Sequence, residues 1–85
     1  MYEIFYSKQP RKYLLKIQPR LSMKIYSAMN QISRNDVQAK DITFMAGSVN
    51  TYRLRLGQLR IIYEVRNDIL VITVIKVGSR GDIYK

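Results

Sequence analysis

Five residues in the C-terminal third of this 85-residue chain combine into a set that could handle phosphate: Arg53 and Arg55 in TYRLRLG, Arg60 in QLRIIYEV, and Arg80 with Tyr84 in VGSRGDIY. Arginine stays protonated throughout the physiological range and presents a planar fork of donors to phosphate oxygens. Such a cluster suits a polyanion whose charge increases in a transition state. The remaining sequence offers no competing chemistry. It contains no His and no Cys, and it has no close carboxylate pair. The usual acid–base, thiol and metal chemistries therefore lack their parts, and a guanidinium cluster with a nearby phenol is what remains.

Length and composition bound what can position these groups. A chain of 85 residues is expected to form one domain over residues 1–85, burying roughly 60–65% of its unfolded surface and so folding without staples. The absence of Cys removes disulfides and thiolate metal sites and is silent on redox compartment. The longest apolar run, Ile69 to Ile75, contains Thr73 and is far shorter than the ~20 residues that span a bilayer. The opening MYEIFYSKQPRK has no apolar core behind a basic tip and does not read as a signal peptide. A cytoplasmic protein without a membrane partner is the expectation. Fifteen Lys and Arg against six Asp and Glu give a formal charge of +9. That excess favours association with nucleic acid, anionic membrane or an acidic protein, and charge alone does not choose among them.

Residues Tyr2 to Tyr6 alternate and predict a short strand. Ser7 is placed to N-cap a helix in which Pro10 falls in the first turn, where its missing N–H is not needed. Leu14, Leu15 and Ile17 are expected to face the core, with Pro19 ending this helix and Ser22 capping the next. The second helix carries Ile25, Ala28, Met29 and Ile32 at helical spacing. The exposed sides of this helical hairpin hold Lys8, Arg11, Lys12, Lys16, Arg20, Lys24 and Arg34, which suit a solvated face or a second nucleic-acid surface. Asn35 to Asn50 reads as irregular, with Phe44 and Met45 as anchors.

From Thr51 the period changes to two. Tyr52, Leu54 and Leu56 alternate with Arg53 and Arg55, and Gly57-Gln58 follows as a turn of type II′ pattern, Gly first. That turn fixes a register in which Leu56 faces Leu59, Leu54 faces Ile61 and Tyr52 faces Tyr63. The opposite side then sets Arg55 directly across from Arg60, with Arg53 one pair further along. Like charges so opposed cost about 0.2–1 kcal/mol. Either both guanidiniums bend outward and Glu64 offsets them, or an anionic ligand completes the site. Asn67-Asp68 is a second turn signal, and ILVITVIKV beyond it is apolar on both faces, as a central strand requires. The implied register puts Val71, Thr73 and Ile75 on the side of Arg60. Gly78 is expected to break this strand, leaving Arg80 in a loop, where a salt bridge to Asp82 is its alternative use. Ile83-Tyr84 would return as a short final edge strand, where Tyr84 could simply cover the core. The whole predicts an α+β fold with two N-terminal helices packed on an antiparallel sheet, in the order β-α-α-β-β-β.

The string YRLRLGQLRIIYEV, a short turn, and LVITVIKVGSRGDIYK together resemble the RelE-type toxins of bacterial and archaeal toxin–antitoxin pairs, in the wider RelE/ParE superfamily. The resemblance covers nearly the whole chain and implies the same layout of one strand, two helices and a sheet. In RelE-type RNases two basic residues stand on the second strand, an Arg on the third, and an Arg with a late Tyr at the C-terminus. Here these positions hold Arg53 and Arg55, Arg60, and Arg80 with Tyr84. One departure is that Arg fills the second-strand positions where Lys is common, so an acid–base part played by Lys there does not transfer.

What the resemblance implies is a metal-free endoribonuclease without a cofactor. Its reaction is attack of an RNA 2′-hydroxyl on the adjacent phosphate, and its target is mRNA in the ribosomal A site. Arg60 and Arg80 would hold the scissile phosphate, while Arg53 and Arg55 would neutralise neighbouring phosphates and lower the phenol pKa of Tyr84. Tyr84 is then a general base, or it stacks on a base and orients the 2′-hydroxyl. The implied partner is a cognate acidic antitoxin. Two other functions fit part of the pattern. One is a ParE-type inhibitor of DNA gyrase that cuts nothing, against which the filled Arg–Arg–Tyr set argues. The other is a basic nucleic-acid-binding module, which lacks interleaved aromatics on the basic strands.

Overall fold

The computed structural model describes residues 1–34 and 41–79. The elements run β1 (Glu3–Tyr6), α1 (Lys8–Lys16), α2 (Pro19–Ser33), β2 (Ile42–Phe44), β3 (Thr51–Leu56), β4 (Leu59–Arg66) and β5 (Val71–Ser79). The strands form one five-stranded sheet in the order β1-β5-β4-β3-β2. Both helices cover one side of it, giving the expected α+β architecture.

Helix α1 begins after Ser7, although the Ser7 hydroxyl makes no capping hydrogen bond. Pro10, Leu14 and Ile17 lie at helical spacing, so the first two are buried and Ile17 packs at the core's edge. Leu15 is one residue, or about 100°, away from Leu14 on the helix and is 87% exposed, contrary to expectation. Pro19 does not end α1 but opens α2 at its first position, with Gln18 as N-cap. Proline there loses no intrahelical bond and has its φ already set. Ser22 consequently lies inside α2, where its hydroxyl donates to the Leu14 carbonyl at 2.9 Å and ties the two helices together. Ile25 and Met29 are fully buried and Ile32 nearly so, as their spacing predicts.

The β3–β4 hairpin has the predicted register throughout: Leu56 with Leu59, Leu54 with Ile61, Tyr52 with Tyr63, and Arg55 with Arg60. Gly57 sits at φ 63° while Gln58 does not share a positive φ, the pattern of a type II′ turn. Leu54, Leu59, Ile61 and Tyr63 meet Leu14, Ile25, Met29 and Ile32 in the core, completed by Ile72, Val74 and Val77.

Four features depart from the sequence reading. Residues 42–44 form an extra edge strand, β2, antiparallel to β3. Phe44 remains 48% exposed and anchors only by an edge-on contact with Tyr52, their ring centroids 5.3 Å apart. The sheet is mixed, because β1 pairs parallel with β5. The β4–β5 connection is longer than Asn67-Asp68 and occupies residues 67–70, with Leu70 at φ 54°. Gly78 does not break β5, which continues to Ser79. The predicted Ile83-Tyr84 edge strand lies outside the described residues. Among the described residues no helix is long and apolar enough to cross a membrane.

Where β1 ends, at Tyr6 opposite Val74, the edge of β5 would be left open. The Gln9 carboxamide closes it, donating to the Val77 carbonyl at 2.8 Å and accepting from the Val77 N–H at 2.9 Å. A side-chain amide carries one donor and one acceptor side in the same plane, so it can stand in for a missing strand.

Candidate phosphate site on the open sheet face

Period-two alternation puts Arg53, Arg55 and Arg60 on the side of the sheet that the helices leave uncovered. Arg55 and Arg60 are direct cross-strand partners, and Arg53 stands between Thr43 on β2 and Ile62 on β4. The expected juxtaposition is therefore present, and the local structure disperses the two opposed charges. The Arg60 guanidinium turns back on the hairpin, its Nη1 donating to the Gly57 carbonyl at 2.8 Å and the Leu59 carbonyl at 2.9 Å. Arg55 swings the other way to Asp41, with Nη2 to Oδ1 at 3.6 Å. The counter-charge is thus Asp41, just before β2, and not the anticipated Glu64. Glu64 lies on the same face but further from the hairpin turn, between Thr51 and Thr73.

Asp41, Arg55, Gly57, Gln58 and Arg60 line a polar recess of about 420 Å³ at the hairpin end of this face. The Asp41–Arg55 contact is exposed on both sides, at 43% and 65%, so it is worth at most about 1 kcal/mol. A phosphate entering the recess would displace a weak partner and meet two guanidiniums held from different strands. Arg80 and Tyr84, the other two members of the predicted set, lie outside the described residues. Among the described residues no group of His, Cys, Asp or Glu side chains is arranged to hold a metal ion.

Sequence reasoning missed two residues here. Asp41 sits in the stretch read as irregular, and its contact to Arg55 is not a spacing signal. Lys76 reaches the open face through a bulge in β5. Tyr63 pairs with Val74 but the preceding Ile62 pairs with Lys76, so Ile75 is the extra residue. Lys76, in place of the anticipated Ile75, therefore shares the row of Ile62 and Arg53.

Burial acts on two phenols of the covered side. Burial, assisted by the neighbouring Tyr52, pushes the Tyr63 pKa up to about 12, and burial beside Tyr26 does the same to Tyr6. Both are structural aromatics, Tyr63 stacked on Tyr52 with centroids 5.6 Å apart and Tyr6 edge-on to Tyr26 at 5.3 Å. On the helix side of the same hairpin, a groove of about 790 Å³ is lined by Ile17, Leu21, Met23, Ala28, Leu56 and Leu59, with Arg20 and Lys24 among its basic members.

The family model for the ParE toxin of the type II toxin–antitoxin system parDE matches residues 2–84. Among solved structures, the archaeal RelE–RelB complex from Pyrococcus horikoshii OT3 is similar at 26% identity and a TM-score of 0.82, over 95% of this chain and 97% of that one. The RelB–RelE complex from Methanococcus jannaschii is similar at 27% identity and a TM-score of 0.74, over 94% of each chain. The intact RelBE complex of E. coli gives a TM-score of 0.80 at 17% identity, over 95% of this chain and 99% of that one, a likeness of fold alone. Comparison with curated protein sequences gives no match.

Proposed function

The chain belongs to the ParE toxin family of type II toxin–antitoxin systems, within the RelE/ParE superfamily, and from its arginine face we propose that it is a toxin of the RNA-cleaving kind. The observation that carries this reading is the opposed pair Arg55 and Arg60 at the rim of a polar recess, with Arg53 beside them on an uncovered sheet. Opposing two guanidiniums across a hairpin costs stability that packing does not require, which supports an anionic ligand at this place.

In the proposed reaction the RNA 2′-oxygen bonds to the adjacent phosphorus as the bond to the 5′-oxygen breaks. The products are a 2′,3′-cyclic phosphate and a 5′-hydroxyl, the leaving 5′-oxygen taking its proton from solvent. Arg60 and Arg80 stabilise the charge that accumulates on the pentacoordinate phosphorus. Arg53 and Arg55 neutralise flanking phosphates and favour the phenolate form of Tyr84. Tyr84 takes the 2′-hydroxyl proton, or it stacks on a base and orients that hydroxyl while solvent takes the proton. A phenol is a weak base at neutral pH, so the RNA has to arrive already bent toward in-line geometry. Ribosome-bound mRNA is the substrate that meets this demand.

The partner is an acidic antitoxin. Three of the RelE structures similar to this chain are complexes with RelB proteins. Here a +9 domain offers both the arginine face and an apolar groove with basic members, which suits an acidic amphipathic segment. A second reading, inhibition of DNA gyrase without RNA cleavage, is favoured by the ParE description of the matching family model. Parallel assays with the purified protein separate them. The RNase reading expects cleavage of mRNA on programmed ribosomes with gyrase supercoiling unaffected. Supercoiling inhibition with intact mRNA would replace it with the gyrase reading.

A further inference from the structure

The basic surface of the open face extends one residue beyond the arginines, at a position where strict alternation would have hidden it. On β5, Ile72, Val74 and Val77 are buried to 1%, 0% and 1% exposure. Regular alternation from Val74 would turn Lys76 toward the helices and Val77 outward. An ammonium buried there without a partner is far more costly than a local break in the ladder. The strand therefore takes in one extra residue, and Ile75 and Lys76 are both exposed.

Lysines are common on sheet edges, where they block pairing with other chains. That explanation is already met at this place, because the Gln9 carboxamide occupies both backbone groups of Val77. Lys76 instead lies two strands from Arg53 in one row, about 10 Å apart at the backbone, and diagonal to Arg60. Gly78 stands directly opposite Arg60, so no side chain from that position fills the space beside the guanidinium. Among the described residues no carboxylate forms an ion pair with Lys76.

We propose that Lys76 is a further phosphate contact of the open face, gripping the RNA backbone on the β5 side of Arg60 while Arg53 and Arg55 grip it on the β3 side. This rests on the reading of that face as an RNA site. An ammonium is a compact point charge without a guanidinium's fork, so Lys76 contributes affinity through counterion release and not orientation at the scissile phosphate. Glu64, on the same face and further from the hairpin turn, bounds the track by repelling phosphate.

The test is the salt dependence of binding to a fluorescent single-stranded RNA oligonucleotide with 2′-O-methyl groups, which cannot be cut. Lys76→Gln should make the slope of log affinity against log salt shallower by about 0.7, one phosphate's share for a single strand. Lys76→Arg should keep the wild-type slope. On programmed ribosomes Lys76→Gln should raise KM several-fold and leave kcat within about twofold. Arg53→Gln serves as the reference. If it flattens the slope and Lys76→Gln does not, the role of Lys76 is overturned and the arginine face stands. If neither variant changes the slope, the reading of the whole face as an RNA site falls with it.

Discussion

On β3 and β4 the covered face carries Tyr52, Leu54, Leu56, Leu59, Ile61 and Tyr63, while the open face carries Arg53, Arg55, Arg60 and Ile62. Adjacent residues thus serve opposite demands. On the covered side all six belong to or pack against the core shared with the helices, and the register is fixed because a one-residue slip would bring guanidiniums into the core. On the open side packing demands nothing, yet cations are set opposite one another, at a cost of about 0.2–1 kcal/mol. Asp41 and the turn carbonyls of Gly57 and Leu59 reduce that cost without removing either charge from the surface. If one face answers to stability and the other to a ligand, as proposed, substitutions on the two should separate cleanly.

The largest effect is expected on the covered face. Ile61 is fully buried, and Ile61→Ala should lower the unfolding free energy by about 2–5 kcal/mol through lost transfer energy and a residual cavity. Chemical denaturation measures this directly. A loss below about 1 kcal/mol would mean that the helices do not pack on this face as described.

Substitution of the proposed catalytic residues should remove activity and leave denaturation nearly unchanged. Arg60→Ala and Arg80→Ala are each expected to slow single-turnover cleavage on programmed ribosomes by about 10²–10³ with modest loss of binding, because their interactions strengthen only in the transition state. Equal losses in binding and rate would reassign them to substrate capture. Tyr84→Phe keeps the ring and removes the hydroxyl. A large rate loss assigns Tyr84 to proton transfer, and near-normal activity assigns it to stacking.

The covered face also predicts an alkaline limit. Tyr63 and Tyr6 have folded-state pKa values raised to about 12 by burial, against about 10 when unfolded. The folded protein therefore holds these protons more tightly, and the stability they contribute is intact below pH 10 and is lost as pH rises toward 12. Tyr63→Phe should weaken this pH dependence. Stability that stays level from pH 9 to 12 would contradict the burial of these phenols.

The smallest effect concerns the recess. Asp41→Asn removes the carboxylate that competes for Arg55, so affinity for single-stranded RNA should rise by about twofold to fivefold, the range of an exposed ion pair. Weaker binding would show that Asp41 helps to organise the site.

The same contrast explains what the sequence made legible. The β3–β4 register was readable to the residue because alternation and a Gly-first turn are local signals, and they carried Arg53, Arg55 and Arg60 to one face. The stripe Ile25, Met29 and Ile32 was readable for the same reason. What escaped depends on contacts between distant residues. Parallel pairing of β1 with β5 joins Glu3 to Val71, and no local pattern states its direction. Strand β2 is three residues long with an exposed Phe44, too short to show a period. The bulge that exposes Lys76 exists because Val74 and Val77 are both needed inside, which becomes visible only once the helices are in place. Pro19 lies at a helix boundary, where one proline can close a helix or open the next, and of the adjacent Leu14 and Leu15 only the packed fold decides which is buried.

The central claim, that the open face cuts RNA, is tested most directly by the ends it leaves. Programmed ribosomes incubated with the purified wild-type protein should yield mRNA fragments ending in a 2′,3′-cyclic phosphate and beginning with a 5′-hydroxyl, and the Arg60→Ala protein should yield almost none. Fragments carrying a 3′-hydroxyl and a 5′-phosphate, or translation arrest with the mRNA intact, would contradict the account.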